Sequence, residues 1–202
     1  MYWLVPPEWC GETVFILGGG PSLKNVDIFS LRNRRVIAIN NSWELAPWAD
    51  ILYFCDVRWW NWHGERASRQ FEGRYIVTAS QLLDDPRGRL LKLTGATGLE
   101  KDPSGLRHGS NSGYQVINLA YHLGVKRIVL LGYDMHVKNG THWHPGHPST
   151  KPDMYGKSLS DAMLPKFDSL VDPLKEAGVE VINATPGSAL RCWPIRSLKE
   201  AL

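Results

Sequence analysis

Short apolar runs alternate with amphipathic or polar stretches along most of the chain. The runs are rich in β-branched residues and nearly free of charge, which is typical of strands buried on both faces of a parallel sheet. The predicted strands are Thr13–Leu17, Arg35–Ile39, Ile51–Cys55, Tyr75–Thr78, Arg127–Leu131 and Val179–Ile182.

Between these runs, apolar residues recur at helical spacing. The predicted helices cover residues 23–31, 59–70, 112–123 and 161–177, with Pro165 and Pro173 limiting the last of them. Strands that alternate with helices predict an α/β fold, Rossmann-like and doubly wound, with a mainly parallel sheet. The length and composition of the chain suit one domain over residues 1–202.

Two stretches lack a clear period. Residues 84–108 mix Gly, Pro, Asp and basic residues, so we expect an irregular insertion with at most one small strand. Residues 135–160 begin with a polar, Pro-rich and aromatic run, and loops of this length in compact domains are often functional. We expect the second stretch to form a mobile lid.

Three glycines follow the first predicted strand. Glycine lets a ligand approach main-chain N–H groups closely, and Pro and Ser suit the first positions of a helix. Because N–H groups at a helix start attract phosphate, the turn predicts a phosphate site, with an ordinary ligand-free turn as the alternative. The residues of this predicted site are Gly18, Gly19, Gly20, Pro21 and Ser22.

Polar residues follow three other predicted strands, and a second glycine-containing turn opens the helix near residue 112. Open α/β sheets bind their ligands at the carboxyl ends of their strands. We therefore expect these positions to complete a nucleotide site. They are Asn40, Asp56 and Asp134 at strand ends, and Asn111, Ser112 and Gly113 at the helix start.

Composition narrows the function classes. No apolar run approaches the roughly 18 residues of a membrane helix, and the N-terminal residues do not form a secretory signal, so we expect a cytoplasmic protein without a membrane span. The three cysteines are too widely spaced to suggest disulfides or a cysteine zinc site. A net charge of +3 permits anionic ligands, but its scattered basic residues give no nucleic-acid footprint.

A tryptophan cluster, Trp59, Trp60 and Trp62, stands beside His63. Such a cluster covers a core edge or a subunit contact, or stacks on a base or sugar. Packing is the favoured interpretation, and assembly into a homo-oligomer is an open alternative.

The spacing of residues argues against two common nucleotide sites. A dinucleotide site normally has a third glycine in its first turn and an acid after its second strand, where this chain has Leu23 and Asn40. A P-loop needs Gly-Lys-Ser/Thr at the end of its glycine turn, and Lys24 stands at the wrong spacing. The glycine turn therefore predicts a site for a mononucleotide or a nucleotide-sugar.

Five motifs, taken in order, resemble two related families. They are Gly18–Leu23, Ala38–Asn40, Asn111–Gly113, Leu131–Asp134 and Asn183–Leu190. One family is the Campylobacter-type bacterial sialyltransferases, glycosyltransferase family 42. The other is the DUF115 group, which includes the archaeal 6-hydroxymethylpterin pyrophosphokinases.

The sialyltransferase resemblance implies a Rossmann-like enzyme that takes a CMP-type nucleotide-sugar donor and transfers the sugar to an acceptor hydroxyl. It implies a histidine base, for which His144 and His147 compete, and a tyrosine at the leaving phosphate, here Tyr155. This chain departs from the family pattern at Gly19, where the family has Asn, and at Asn111, where Thr is common. A histidine base needs little tuning near neutral pH.

Other chemistries stay open. A pyrophosphokinase would need Mg²⁺ between nucleotide phosphates, for which Asp56 and Asp134 are the candidate ligands. His142, His144 and His147 are a weaker candidate for zinc, because their spacing fits no common zinc pattern. A nucleotide-binding module without catalysis is the remaining alternative, and the acceptor is not identified by the sequence.

Overall fold

The computed structural model describes residues 1–145 and 151–202, apart from the side chain of Pro152. Its main element is a seven-stranded sheet in which every pairing is parallel. The strands are β1 Thr13–Leu17, β2 Arg35–Ile39, β3 Ile51–Phe54, β4 Tyr75–Thr78, β5 Gly88–Leu90, β8 Arg127–Leu131 and β9 Glu180–Asn183. The predicted α/β fold with a mainly parallel sheet is confirmed, and the six predicted strands end within one residue of their predicted ends.

The strand order is β5-β4-β3-β2-β1-β8-β9. The chain therefore builds outward from β1 in one direction and later returns to add β8 and β9 on the other side of it. The point at which the order reverses, between β1 and β8, is where doubly wound sheets bind their ligands, beyond the carboxyl ends of the strands. The glycine turn leaves β1 at this point, and Gly132–Asp134 leaves β8 beside it.

Both faces of the sheet are covered, because alternate residues of each strand enter different hydrophobic clusters. Val14 and Ile16 of β1 pack with helix α2, Ser112–His122, on one face. Phe15 and Leu17 pack with helix α1, Val57–Gln70, on the other. This double burial explains why the strands are apolar at successive positions.

The predicted helix over residues 23–31 is wrong. Two short 3₁₀ helices, Pro21–Asn25 and Ile28–Leu31, occupy this stretch, and Val26 between them has extended backbone. Asn and Asp compete with the helix for backbone hydrogen bonds, and Asn25 and Asp27 stand at this break. The apolar spacing arises because both turns reach back to the core, where Leu23, Ile28 and Leu31 are buried.

The expectation for residues 84–108 is also corrected, because three short strands lie there. Strand β5 extends the main sheet, while β6, Lys92–Gly95, and β7, Gly105–Arg107, form a separate two-stranded sheet. These strands of three or four residues are too short to show a period. Contacts from distant parts of the chain hold them, including the Trp3 N–H donating to the Leu90 carbonyl at 2.8 Å.

The predicted helix over residues 161–177 begins earlier and changes type along its length. It comprises α3, Pro152–Ser158, a π-helical turn Leu159–Met163, a 3₁₀ helix Leu164–Leu170, and α4, Val171–Glu176. Pro165 lacks an N–H and falls where the π turn gives way to the 3₁₀ helix, which accounts for the break. A last short helix, α5, covers Leu198–Ala201. Among the described residues, no helix is long and apolar enough to span a membrane.

Candidate active site

A cleft of about 630 Å³ opens at the carboxyl ends of the central strands. Its volume lies within the range of about 300–1,000 Å³ that is usual for small-molecule sites. The cleft is lined by the glycine turn, the ends of β2, β3 and β8, the start of α2, and one side of α3. The predicted residues that line it are Gly18, Gly19, Gly20, Asn40, Asp56, Asn111, Ser112, Gly113, Asp134, His144 and Tyr155.

The glycine turn is closely packed at two of its three positions. A Cβ atom at Gly18 would lie 2.7 Å from the carbonyl oxygen of Gly132, and one at Gly20 would lie 2.6 Å from the same oxygen. The N–H groups of Gly18 and Gly20 donate to the carbonyls of Leu131 and Gly132. Within the described part of the chain, the Gly19 N–H has no such acceptor, so it is the donor that the turn offers to a ligand.

The ring of Tyr133 brings the two glycine-containing turns together. Its Cδ2 atom lies 3.1 Å from the position of a Cβ at Gly18, and its Cε1 atom lies 2.9 Å from that of a Cβ at Gly113. The Tyr133 hydroxyl donates to the Gly113 carbonyl at 3.1 Å. The β1 turn and the start of α2 therefore pack against the same aromatic ring.

The first turn of α2 contributes further donors. The Asn111 side chain caps the helix by accepting from the Tyr114 N–H at 2.8 Å, and Asn111 also lines the cleft. The N–H groups of Ser112 and Gly113, which precede Tyr114, have no partner within the helix and lie at the cleft. Burial raises the pKa of the neighbouring Cys55 thiol, which lies 3.1 Å from the Ser112 hydroxyl.

Asn40 combines unusual backbone with a buried acceptor. Its φ of 49° lies in the left-handed region, which Asn tolerates better than most residues. Its Oδ1 atom is buried and accepts no hydrogen bond from any residue that the structure describes. The following turn is held by Asn41, which donates to Glu44 at 2.9 Å and accepts from the Trp59 indole at 2.7 Å.

Backbone strain is concentrated at the cleft. Among the described residues, three that are not glycine have positive φ: Asn40, Ser110 and Met135. All three line the cleft, from three different segments of the chain. Residues in such conformations cluster at ligand sites, because the surrounding structure must hold them there.

Asp134 holds the glycine turn in place through hydrogen bonds to Ser22. Its carboxylate accepts from the Ser22 hydroxyl at 2.7 Å and from the Ser22 N–H at 3.2 Å, and only 4% of the residue is exposed. This carboxylate occupies the place that a Cβ at Gly20 would need. Pro21 and Ser22 do not line the cleft and lie in a groove behind the turn.

The rim formed by α1 is aromatic and carries an ion pair. Asp56 caps α1 by accepting from the Arg58 N–H at 2.8 Å, and the Arg58 guanidinium bonds to the same carboxylate at 2.8 Å. Trp62 lines the cleft one turn further along and is 42% exposed. Trp59 and Trp60 pack against Phe54, as the sequence favoured, and Trp59 also lines the cleft.

The loop of residues 135–145 covers the opposite side of the cleft. Trp143 anchors it, because its N–H donates to the Gly19 carbonyl at 3.1 Å and its indole donates to the Ser42 hydroxyl at 3.2 Å. The Ser42 hydroxyl in turn donates to the Gly18 carbonyl. The histidines on either side of Trp143 line the cleft.

Three rings stack inside the cleft. The His142 ring stacks with those of His144 and Tyr155, with centroid separations of 4.9 Å and 5.1 Å. Burial raises the pKa of Tyr155, and the Asp134 carboxylate raises it further, so its hydroxyl stays protonated at neutral pH. His147, the other predicted base, lies outside the described residues.

The sequence indicated His142 only as a weak zinc candidate, and Trp143 was not recognised as the residue that anchors this loop. The signal available was the His-Trp-His order, in which one large apolar residue stands between two polar ones. Tyr133 was included in the Leu131–Asp134 motif, but the sequence assigned its side chain no role in the site.

The two proposed metal ligands are already engaged. Asp56 is paired with the Arg58 guanidinium, and Asp134 accepts from both Ser22 donors. Over residues 1–145 and 151–202, no group of three or more His, Cys, Asp or Glu side chains is arranged to hold a metal ion. These donors do not fit a Mg²⁺ site without rearrangement of the Asp56–Arg58 pair.

Comparison with solved structures gives the same fold. The chain is similar to the sialyltransferase CstII from Campylobacter jejuni in complex with a substrate analogue, cytidine-5′-monophosphate, with a TM-score of 0.58 and 15% identity over 92% of this chain and 85% of that chain. A point variant of the sialyltransferase Cst-II in complex with CMP gives a TM-score of 0.50 and 13% identity over 91% of this chain and 85% of that one.

At these identities the likeness shows a shared fold alone. No protein-family model matches the chain, and no curated protein sequence is significantly similar to it. The resemblance to the DUF115 pyrophosphokinase group therefore has no support at the level of sequence comparison.

Proposed function

We propose that the protein is a nucleotide-dependent transferase, and specifically a sialyltransferase-like glycosyltransferase that uses a CMP-type donor. The observation that carries this proposal is the convergence of uncommitted donors at the switch point of the sheet. Gly19 and the first residues of α2 line one cleft on either side of the Tyr133 ring, and the Gly19 N–H has no acceptor among the described residues. The solved structures with this fold hold CMP.

The phosphate of the donor would lie against these N–H groups. Backbone donors fixed in place stabilise negative charge without reorganisation, which matters most when charge develops on a leaving group. Tyr155 adds an O–H donor from the other side of the cleft. Asn40 has a buried oxygen that would accept from a hydroxyl or amino group of the nucleoside.

The transfer itself needs a base. A histidine takes the proton of the acceptor hydroxyl while that oxygen bonds to the anomeric carbon of the sugar. The bond from this carbon to the phosphate oxygen breaks, and its electron pair leaves on CMP. His144, at the cleft, and His147 are the two candidates for the base.

The pyrophosphokinase alternative is less well supported, because the carboxylates that it needs are used elsewhere. Asp56 neutralises Arg58, and Asp134 holds the glycine turn. Both carboxylates would have to leave these partners before they could bind Mg²⁺ between nucleotide phosphates. A nucleotide-binding module without catalysis keeps the same binding residues and differs only in turnover.

Thermal unfolding with nucleotides separates these functions. CMP at about 100 times its Kd is expected to stabilise the fold by about 2.7 kcal/mol without Mg²⁺, which raises Tm by several degrees in a chain of this size. Cytidine, UMP, ADP and ATP, each with and without Mg²⁺, are the comparison ligands. Stabilisation by ATP only with Mg²⁺ would favour the pyrophosphokinase, and no response to any nucleotide would contradict both enzymes.

Turnover identifies the base. His144→Gln and His147→Gln are assayed for release of CMP from CMP-sialic acid with a sugar acceptor, and one of them should lose turnover while it still binds CMP. His136→Gln is the matched control, since His136 also lines the cleft but bonds to the Gly187 carbonyl at 3.2 Å. CMP binding by the wild-type protein without turnover of the donor would support the non-catalytic module.

A further inference from the structure

His142 lies directly over the one open position of the glycine turn. A Cβ atom at Gly19 would meet the Cδ2 atom of His142 at 3.3 Å, and no other described atom within 4 Å. At Gly18 and Gly20, by contrast, the same atom would meet backbone oxygen. The absence of a side chain at residue 19 thus leaves room for the histidine ring.

The ring has a defined orientation. Its Nδ1 atom is buried. Its Nε2 atom is bonded to Cδ2, the atom that approaches the Cβ position of Gly19, so Nε2 lies one bond from this contact. Nε2 carries a proton in the imidazolium and in one of the two neutral tautomers, and in either state it is a donor.

Three neighbouring residues hold this ring in place. The planes of His144 and Tyr155 lie at 29° and 25° to that of His142, so each of these rings stacks with it. The next residue, Trp143, is bonded to the Gly19 carbonyl and the Ser42 hydroxyl. A ring held this close to Gly19, in the same cleft, is placed to contact a ligand that binds the Gly19 N–H.

We propose that His142 is a catalytic residue, which donates from Nε2 to the phosphate of a nucleotide whose oxygen also accepts from the Gly19 N–H. This inference rests on the proposed function, since it assumes that the cleft binds a nucleotide phosphate. It assigns His142 to the leaving group and leaves His144 or His147 to act as base. The ligand class that follows is a nucleoside monophosphate or its glycosyl ester.

The test compares CMP with cytidine, which has the same base and sugar but no phosphate. In calorimetric titrations, His142→Ala should weaken CMP binding by about 10-fold to 100-fold, the loss expected for a hydrogen bond to a charged group. Its affinity for cytidine should stay within about twofold of the wild-type value, because cytidine lacks the phosphate that His142 is proposed to contact. The difference between the two ligands therefore isolates this contact. His142→Gln, which keeps an N–H donor, should recover part of the CMP affinity.

A second pair of variants tests the geometry. Gly19→Ala should push the His142 ring outward and weaken CMP binding in the wild-type background. The same substitution should have a smaller effect in His142→Ala, where the ring is absent. His136→Ala is the control for loss of an imidazole elsewhere in the cleft, and it should bind CMP as the wild-type protein does.

The outcomes separate this inference from the proposed function. CMP binding that is equal in the wild-type protein and His142→Ala would overturn the role of His142 and leave the nucleotide site intact. Equal losses for CMP and cytidine would also overturn it, since they would indicate a general packing role. If neither ligand binds to the wild-type protein, the proposed function itself fails.

Discussion

Individual side chains at the cleft have roles that a conservative substitution can separate. Asn40 combines left-handed backbone with a buried oxygen that no described residue satisfies. The backbone conformation suits glycine, whereas the oxygen belongs to the side chain alone. Substitutions of Asn40 should therefore separate the free energy of unfolding from the affinity for CMP.

Asn40→Gly should keep the stability of the fold to within about 0.5 kcal/mol and lose affinity for CMP, because it preserves the turn and removes the acceptor. Asn40→Ala should lose the same affinity and also destabilise the fold by up to about 1 kcal/mol, because Ala tolerates left-handed backbone less well than Asn does. Urea unfolding and calorimetry measure the two quantities. Normal CMP binding by Asn40→Gly would show that the orphaned oxygen has no part in the site.

Tyr155 is proposed to donate its hydroxyl to the leaving phosphate. Its raised pKa means that the hydroxyl is protonated throughout the neutral range, so its contribution should not change between about pH 6 and pH 9. Tyr155→Phe keeps the ring that stacks on His142 and removes only the donor. The rate of CMP release should fall about 100-fold, the scale of losing one donor to a developing anion.

A rate for Tyr155→Phe that equals the wild-type rate would remove Tyr155 from the chemistry. An inflection in the wild-type pH–rate profile that disappears in Tyr155→Phe near neutral pH would also contradict this role.

At the level of elements, the position of α2 determines where its free N–H groups point. Asn111 caps this helix with its side-chain oxygen at 2.8 Å from the Tyr114 nitrogen. Asn111→Ala should cost about 1 kcal/mol in urea unfolding and should weaken CMP binding, because the first turn frays at the cleft. Asn111→Ser, which keeps a neutral capping oxygen, should largely preserve both.

Ser197 provides the control for this effect. It caps α5, a helix that does not line the cleft, through a capping box with Glu200. Ser197→Ala should leave CMP binding unchanged. A loss of CMP affinity in both alanine variants would mean that global stability, and not the start of α2, controls binding.

The elements also show what can be predicted from sequence. Strands buried on both faces, such as β1 and β8, were predicted to the residue because their apolar runs have few alternatives. The 3₁₀ helices after the glycine turn and the short strands β5 to β7 were not, because long-range contacts decide their conformation. In the cleft, the glycine turn, the strand ends and the start of α2 could be predicted from the sequence. The packing of Trp143 on Gly19 could not, because it depends on tertiary structure.

At the scale of the whole molecule, His122 links stability to pH. It lies in α2, 8% exposed, with Nε2 2.9 Å from the Gly105 carbonyl oxygen, and burial lowers its pKa below the usual 6.5. The unfolded chain therefore binds a proton more readily. This contribution to stability is complete above about pH 6.5 and is lost as the pH falls below that value.

The free energy of unfolding should thus decrease between pH 7.5 and pH 5.5, a range above the titration of most carboxylates. His63, whose pKa burial also lowers, contributes in the same direction. In His122→Gln the decrease should be smaller, while stability at pH 7.5 changes little because Gln keeps a donor for Gly105. Parallel pH curves for the two proteins, measured by urea unfolding, would refute the assignment.

The central claim is that the cleft at the switch point binds a nucleotide phosphate. A crystal structure of the protein grown with CMP tests it most directly. We predict electron density for a phosphate within hydrogen-bonding distance of the Gly19 nitrogen and the first N–H groups of α2, with the nucleoside reaching Asn40. A CMP molecule bound elsewhere on the protein, or a cleft that stays empty at saturating CMP, would contradict the claim.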